Sequence, residues 1–350
     1  MQLPKIILHI GGEKTGTTSI QNYLHTQRDA LSKLGVLFPS SPKWNHVLLP
    51  LFADPGDATR DLRSILAPEE LSKAEDLIAR FPERLRAEII SSRCSRVILS
   101  NEHCSSRLSA SSVAKLVEML KSISVELQII YYARPQDELL LSGYSTHVKS
   151  GSCKSITMPV GVGSHYYDHS VILDKWNSVI DCKQIAAYPY ERDSAAQANV
   201  IRHFFNVCDL PEEALTGVEL TFRMNRALAG RPLEFLRLLN AHLPPFVDGV
   251  PSKYRAEILK ALEQLYGGED RSVRVRNAQE LFQRFYQSFR ASNDKVAAKY
   301  WDGPHDRLFV RTDSIEVIEA EALTADDVMR IWVAISKLGS RPNKGIDKAL

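Results

Sequence analysis

The chain has 350 residues, 44% hydrophobic and 25% charged, which is enough apolar material to bury a core in one large domain or two smaller ones. Its 44 lysines and arginines balance 42 aspartates and glutamates, and a net charge near +2 argues against a nucleic-acid coat or an anionic membrane surface as partner. Any anion recognition is therefore local.

No run of 18 or more apolar residues occurs, so no membrane-spanning segment is expected. The opening "MQLPKIILHIGG" runs into a glycine loop rather than a small-residue cleavage site, which predicts no secretory signal and a cytoplasmic protein. Five widely spaced cysteines, Cys94, Cys104, Cys153, Cys182 and Cys208, lack a close metal-ligand pair and read as reduced packing thiols.

In chain order, residues 5–10 read as a buried strand and 18–34 as a helix, followed by "GVLFP" at 35–39 as a second strand ending before Pro39. Residues 40–60 are rich in turn formers, and 68–91 carry a helical pattern opened by Pro68. "RVILS" at 96–100 is a strand, followed by the polar "NEHCSS" and a helix over 109–121. "VELQIIYYAR" at 125–134 repeats the theme, with a helix after Pro135. A shorter strand follows at 182–190 and a helix at 194–206.

Beyond residue 215, helical patterns dominate, at 231–243, 254–266 and 277–301. Strands alternating with helices imply a mostly parallel sheet covered on both faces, with functional groups in loops at the carboxyl ends of its strands. The expectation is a single α/β domain: a P-loop-like three-layer sandwich over about 5–210 and a helical C-terminal extension over about 215–350.

"GGEKTGTT" at 11–18 joins the first strand to the first helix, an arrangement that faces backbone N–H groups and the positive helix end toward an anion. The nucleotide triphosphatase loop needs Gly-Lys-Ser or Gly-Lys-Thr, but Lys14 precedes Gly16 here, and Gly11, Gly12 and Gly16 do not fit the dinucleotide spacing either. Read alone, the loop also fits a strand end at Gly11 and Gly12 with Thr17 and Thr18 capping a helix. Arg134 at a strand end and Ser142 eight residues later can share a phosphate only if the corner folds back; otherwise both are surface residues.

"KTGTT" at 14–18 resembles the Lys-Ser-Gly-Thr-Thr or Lys-Thr-Gly-Thr-Thr loop of sulfotransferases that use 3'-phosphoadenosine 5'-phosphosulfate (PAPS), and Arg134 with Ser142 resembles that family's 3'-phosphate signature. "GSHYYDHSVILDKW" at 163–176 is similar to the Gly-x-Tyr-x-x-x-Leu-x-x-Trp segment of carbohydrate sulfotransferases, with Ile172 and Leu173 both near the leucine position. The nearest resemblance is to the bacterial carbohydrate sulfotransferase-like branch, over about residues 5–210. The later glycine-rich nucleotide segment of the cytosolic small-molecule branch has no clear counterpart, so adenine contacts stay unassigned.

The resemblance implies PAPS as sulfuryl donor, without a metal. The donor's 5'-phosphate side would lie on Gly12, Glu13, Lys14, Thr15, Gly16, Thr17, Thr18 and Ser19, and its 3'-phosphate on Arg134 and Ser142. Lys14 is the catalytic cation that neutralises charge on the leaving phosphate. The acceptor hydroxyl needs a base at a neighbouring strand end, and "ILSNEHCSS" offers Glu102 and His103, with Glu102 preferred because the bacterial branch tends to carry glutamate there.

His46, Tyr166 and Tyr167, with His165, are candidates to line the acceptor site, and loop or core packing accounts for them equally well. Arg192 and the arginines Arg223, Arg226 and Arg231 read either as anion contacts or as solvated charge. The expected partner is a hydroxyl-bearing acceptor, a carbohydrate or glycolipid by resemblance, with no nucleic acid. A P-loop kinase or nucleotide triphosphatase, and a non-catalytic nucleotide-binding protein, are the alternative readings.

Overall fold

A computed structural model describes residues 3–40, 45–124, 126–159, 165–191, 194–215, 228, 230–247, 250–266, 272–319 and 324–339. Arg192, Arg223 and Arg226, and the Gly163 and Ser164 of the 163–176 segment, lie outside the described residues. Two compact units are present: residues 1–136, 160–222 and 288–312 form the first, and 137–159, 223–287 and 313–350 the second.

The first unit is an α/β fold around a five-stranded, wholly parallel sheet in the order β2-β3-β1-β4-β5. The strands are β1 (Lys5–Gly11), β2 (Val36–Leu37), β3 (Arg96–Ser100), β4 (Glu126–Ala133) and β5 (Ile185–Pro189). Largely apolar runs such as "IILHI", broken only by His9, suit strands covered on both faces, and β1 is buried from Ile6 to Gly11. The expected second strand is cut to two residues at the sheet edge.

Adjacent tyrosines in β4 show the layering directly, because successive side chains of a strand point to opposite faces. The Tyr131 hydroxyl pairs with His169 Nδ1 at 2.7 Å on the helix His169–Asn177, whereas Tyr132 pairs with His203 Nδ1 at 2.8 Å on the helix Val200–Val207. On the Tyr132 side, Ile7, Ile98 and Ile130 meet Ile20, Leu24, Phe204 and Phe205 in one buried cluster. Full burial of one such side chain stabilises the fold by about 1.5–3 kcal/mol.

Expected long helices are interrupted. The pattern over 18–34 becomes Thr17–Thr26 and Arg28–Lys33, and that over 68–91 becomes Pro68–Leu71, Ala74–Ala79 and Phe81–Ser92, the last with Pro82 in its first turn. The pattern over 277–301 divides into Ala278–Gln287 and Arg290–Tyr300 where the chain passes from the second unit back to the first.

The second unit is mostly helical, with Gly230–Leu239, Lys253–Tyr266, Ala278–Gln287 and Ala325–Gly339, and a two-stranded antiparallel ribbon of β6 (Phe246–Val247) and β7 (Val250–Pro251). Its core joins Val148, Leu228, Leu233, Leu236, Leu262 and Ile331. The helix Ala325–Gly339 lies within the expected helical extension, although its pattern was not singled out in the sequence. All five cysteines are free thiols, three of them buried. Among the described residues, no helix is long and apolar enough to cross a membrane.

From β1 the chain crosses to β2 and β3 on one side and later to β4 and β5 on the other, so the sheet's switch point lies beside β1. Ligands of open parallel sheets bind at the carboxyl ends of the strands there. Three neighbouring strand ends then carry the loop after Gly11, the turn after Ser100 and the corner after Ala133.

Candidate functional site

β1 ends in a loop whose backbone turns left-handed three times, at Gly11, Lys14 and Gly16, with φ of 79°, 64° and 81°. At a residue with a Cβ this conformation costs about 1–2 kcal/mol. Arg134 Nη1 donates to the Lys14 carbonyl at 2.7 Å and holds that residue in place. Gly16 then starts the helix Thr17–Thr26 without any side-chain cap.

The N–H groups of Ser19 and Ile20 return to the Gly16 carbonyl at 2.9 and 3.1 Å. Those of Thr17 and Thr18 open the uncapped helix, where orphan donors and the helix dipole favour an anion. The loop's hydroxyls divide by role. Thr15 donates to the Gly12 carbonyl at 2.6 Å and Thr17 reaches the same oxygen at 3.4 Å, whereas the hydroxyl of half-buried Thr18 has no hydrogen-bond partner among the described residues.

The absence of a side chain at Gly11 admits another backbone segment. A Cβ there would fall 2.6 Å from Glu102 Cβ and 2.8 Å from Glu102 Cα. At Gly12 it would run into the Tyr132 carbonyl oxygen. The loop is thus pressed between the turn after β3 and the end of β4, and Glu102 is brought against its first residue.

Glu102 and His103 meet different partners. Glu102 Oε2 accepts from Gln21 Nε2 at 3.1 Å, and Gln21 also donates to the Ser100 carbonyl and Oγ, each at 3.2 Å. His103 Nδ1 lies 3.7 Å from Glu13 Oε1, an electrostatic contact longer than a hydrogen bond. Tyr166 donates to the other oxygen of Glu13 at 2.8 Å. Burial pushes the Glu13 carboxyl up, but its polar neighbours His103, Ser106 and Tyr166 outweigh burial and bring it down to about 2. Glu13 is therefore ionised and tied to protein groups. Burial, then the Glu13 charge, push the Tyr167 hydroxyl up to about 12 and that of Tyr166 further.

His46 is buried at 1% exposure with both ring nitrogens engaged. The Ser100 N–H donates to Nδ1 at 3.0 Å and Nε2 lies 3.0 Å from the Pro39 carbonyl, so the ring is the neutral tautomer protonated on Nε2. Burial lowers its pKa to about 4. The ring braces the end of β3 to the segment after β2. His9, inside β1, is likewise held down to about 3 by burial, with Nδ1 2.9 Å from Ser100 Oγ.

Arg134 lies in the first unit, and its carbonyl oxygen is 2.8 Å from His169 Nε2. Ser142 lies in the second unit, on the helix Gln136–Lys149, half-buried, with its carbonyl accepting from Thr146. Half-buried Tyr166 and Tyr167 meet edge to face with centroids 4.9 Å apart, just before Asp168 caps the helix His169–Asn177. Ile172, Leu173 and Trp176 of that helix are buried packing residues.

Gln21, Tyr131 and His169 were not picked out from the sequence. Gln21 left a trace there, as an amide on the stripe where Ile20 and Leu24 are apolar; the other two left none, because their pairing joins distant elements. Among the described residues, no group of three or more His, Cys, Asp or Glu side chains is placed to hold a metal ion.

No family model matches the chain, and no curated protein matches it. Among solved structures it is similar to a sulfotransferase from Alicyclobacillus acidocaldarius, at 13% identity and a TM-score of 0.37, over 64% of this chain and 87% of that one. It is also similar to the sulfotransferase domain from the curacin biosynthetic pathway, at 12% identity and a TM-score of 0.36, over 75% of this chain and 99% of that domain. Likeness at this level says nothing of ligand or reaction.

Proposed function

We propose that the protein is a sulfotransferase, moving a sulfuryl group from PAPS to a hydroxyl on a carbohydrate or glycolipid. The observation that carries this reading is the uncapped helix start at Gly16, reached through a left-handed Lys14 whose carbonyl is tied to Arg134. The donor set suits a phosphate ester: orphan N–H groups, the Thr18 hydroxyl, an ammonium and a guanidinium. The resemblance of "KTGTT" and Arg134 to the sulfotransferase motifs supports the same class.

When bound, the donor supplies the sulfuryl group and a phosphate leaving oxygen. Lys14 places its ammonium where negative charge grows as that bond breaks, so its effect is felt mainly in the transition state. The loop from Gly12 to Ser19 cradles the 5' side, and Arg134 holds the 3'-phosphate. Glu102 takes the proton of the attacking hydroxyl, held against the loop at the right height by the bare backbone of Gly11. His103, paired with ionised Glu13, orders the turn beside it. Tyr167, half-buried on its neighbour Tyr166, lines the acceptor side.

Calorimetric titration with 3',5'-adenosine bisphosphate, beside ATP with magnesium, tests the reading. Tight binding of the bisphosphate with little response to ATP is expected. Preference for ATP, or binding of neither, overturns it in favour of a kinase-like or non-catalytic protein.

A further inference from the structure

Gln21 is buried at 1% exposure on the core-facing stripe of the helix Thr17–Thr26, where Ile20 and Leu24 are fully packed. Burying a primary amide is unfavourable unless it is hydrogen-bonded, and an apolar residue would fill this stripe without that cost. The orientation of the amide follows from its surroundings. The Ser100 carbonyl at 3.2 Å and Glu102 Oε2 at 3.1 Å lie on the same atom and accept only, so that atom must be the nitrogen. Among the described residues, the Glu102 carboxylate accepts its side-chain hydrogen bond on Oε2 and none on Oε1.

The backbone of Glu102 is wedged against Gly11, which sets its distance from the loop, while the clamp on Oε2 sets the rotation of its carboxylate. Ser100, which anchors the clamp, is itself held by His46 through its N–H and by His9 through its hydroxyl. Two buried rings and one buried amide thus converge on the strand end that carries Glu102.

We propose that Gln21 is a positioning residue that clamps Oε2 of Glu102 and so presents Oε1 to the acceptor hydroxyl. The inference rests on the sulfuryl-transfer reading. In the step it serves, a bond forms between the acceptor oxygen and sulfur, and the bond from sulfur to the donor's phosphate oxygen breaks. The electron pair leaves on that phosphate oxygen, and the acceptor proton passes to Glu102 Oε1.

The test uses the full chain and its variants Q21M and E102Q with ³⁵S-labelled PAPS, water serving as the acceptor, and follows release of sulfate against pH. Misplacing a catalytic group by about 1 Å costs about 10²-fold in rate. Q21M is therefore expected to lose rate on that order in kcat, with KM and bisphosphate affinity within about twofold. It should also move the acid limb of the pH–rate profile, which E102Q abolishes.

An unmoved limb, or a loss in Q21M matched by an equal loss of bisphosphate affinity, overturns the clamp. A second readout does not depend on turnover: the Gln21 side-chain amide resonance, identified by its loss in Q21M or Q21N, should shift in E102A. An unshifted resonance overturns the clamp, whereas failure of the wild type to bind the bisphosphate overturns the sulfuryl-transfer reading instead.

Discussion

Arg134 donates from Nη1 to the carbonyl oxygen of Lys14 at 2.7 Å, so the guanidinium at the end of β4 holds the left-handed lysine of the loop after β1. The two residues are 120 positions apart and become neighbours because β1 and β4 are paired in the sheet. Arg134 therefore supports the loop's shape.

Lys14→Ala is expected to cut transfer by about 10²–10³, by analogy with removal of a preorganised oxyanion donor, while keeping most affinity for 3',5'-adenosine bisphosphate. Arg134→Ala should act chiefly on that affinity. Parallel calorimetry and turnover of labelled PAPS separate the two effects, and equal, small effects from both would remove the site assignment.

Glu13 gives a pH signature. Its folded pKa, about 2, lies below the ordinary 4.5, so the native state binds fewer protons than the unfolded chain between those values. The stability it contributes is complete above about pH 4.5 and disappears as pH falls toward 2. Chemical denaturation of wild type and Glu13→Gln should differ at pH 6 and converge toward pH 2; a constant gap would contradict the ionised pairing with Tyr166 and His103.

His46 behaves as a buried neutral ring, its pKa lowered from 6.5 to about 4 by burial. Protonation favours the unfolded chain between those values, so this residue lowers stability as pH falls from about 6.5 to 4. His46→Ala should remove that component of the pH dependence. It should also cost about 1–3 kcal/mol for the Ser100 N–H left unpaired, whereas the Pro39 carbonyl keeps its bond from Arg28 Nη2. Urea unfolding at several pH values measures both.

Gly11→Ala places a Cβ 2.6 Å from that of Glu102 at a φ of 79°, so clash and backbone strain act together. Strain of this kind costs about 1–3 kcal/mol, and relief requires Glu102 to move. The expected result is a lower melting temperature together with lost transfer; full activity at wild-type stability would show that the Glu102 backbone does not need this gap.

The sequence by itself determined the α/β class, β1 with its glycine-rich loop and helix, and the strands at 96–100 and 126–133. These are local properties: unbroken apolar runs, helical periodicity and turn residues need no knowledge of distant neighbours. The resemblance of its motifs to those of sulfotransferases, read at strand ends that show as the points where apolar runs stop, also pointed to Lys14, Glu102, His103 and Arg134.

Only the tertiary structure decided which groups face one another. The order β2-β3-β1-β4-β5 puts two strands distant in sequence on either side of β1. That order creates the pairs Gln21 with Glu102, Glu13 with His103 and Tyr166, and Lys14 with Arg134. It also set His46 between Ser100 and Pro39, where periodicity alone leaves a loop histidine open to either packing or ligand contact. Side-chain pattern reports which face of an element is buried but not what lies opposite, since pairing across a sheet depends on contacts summed over the whole core.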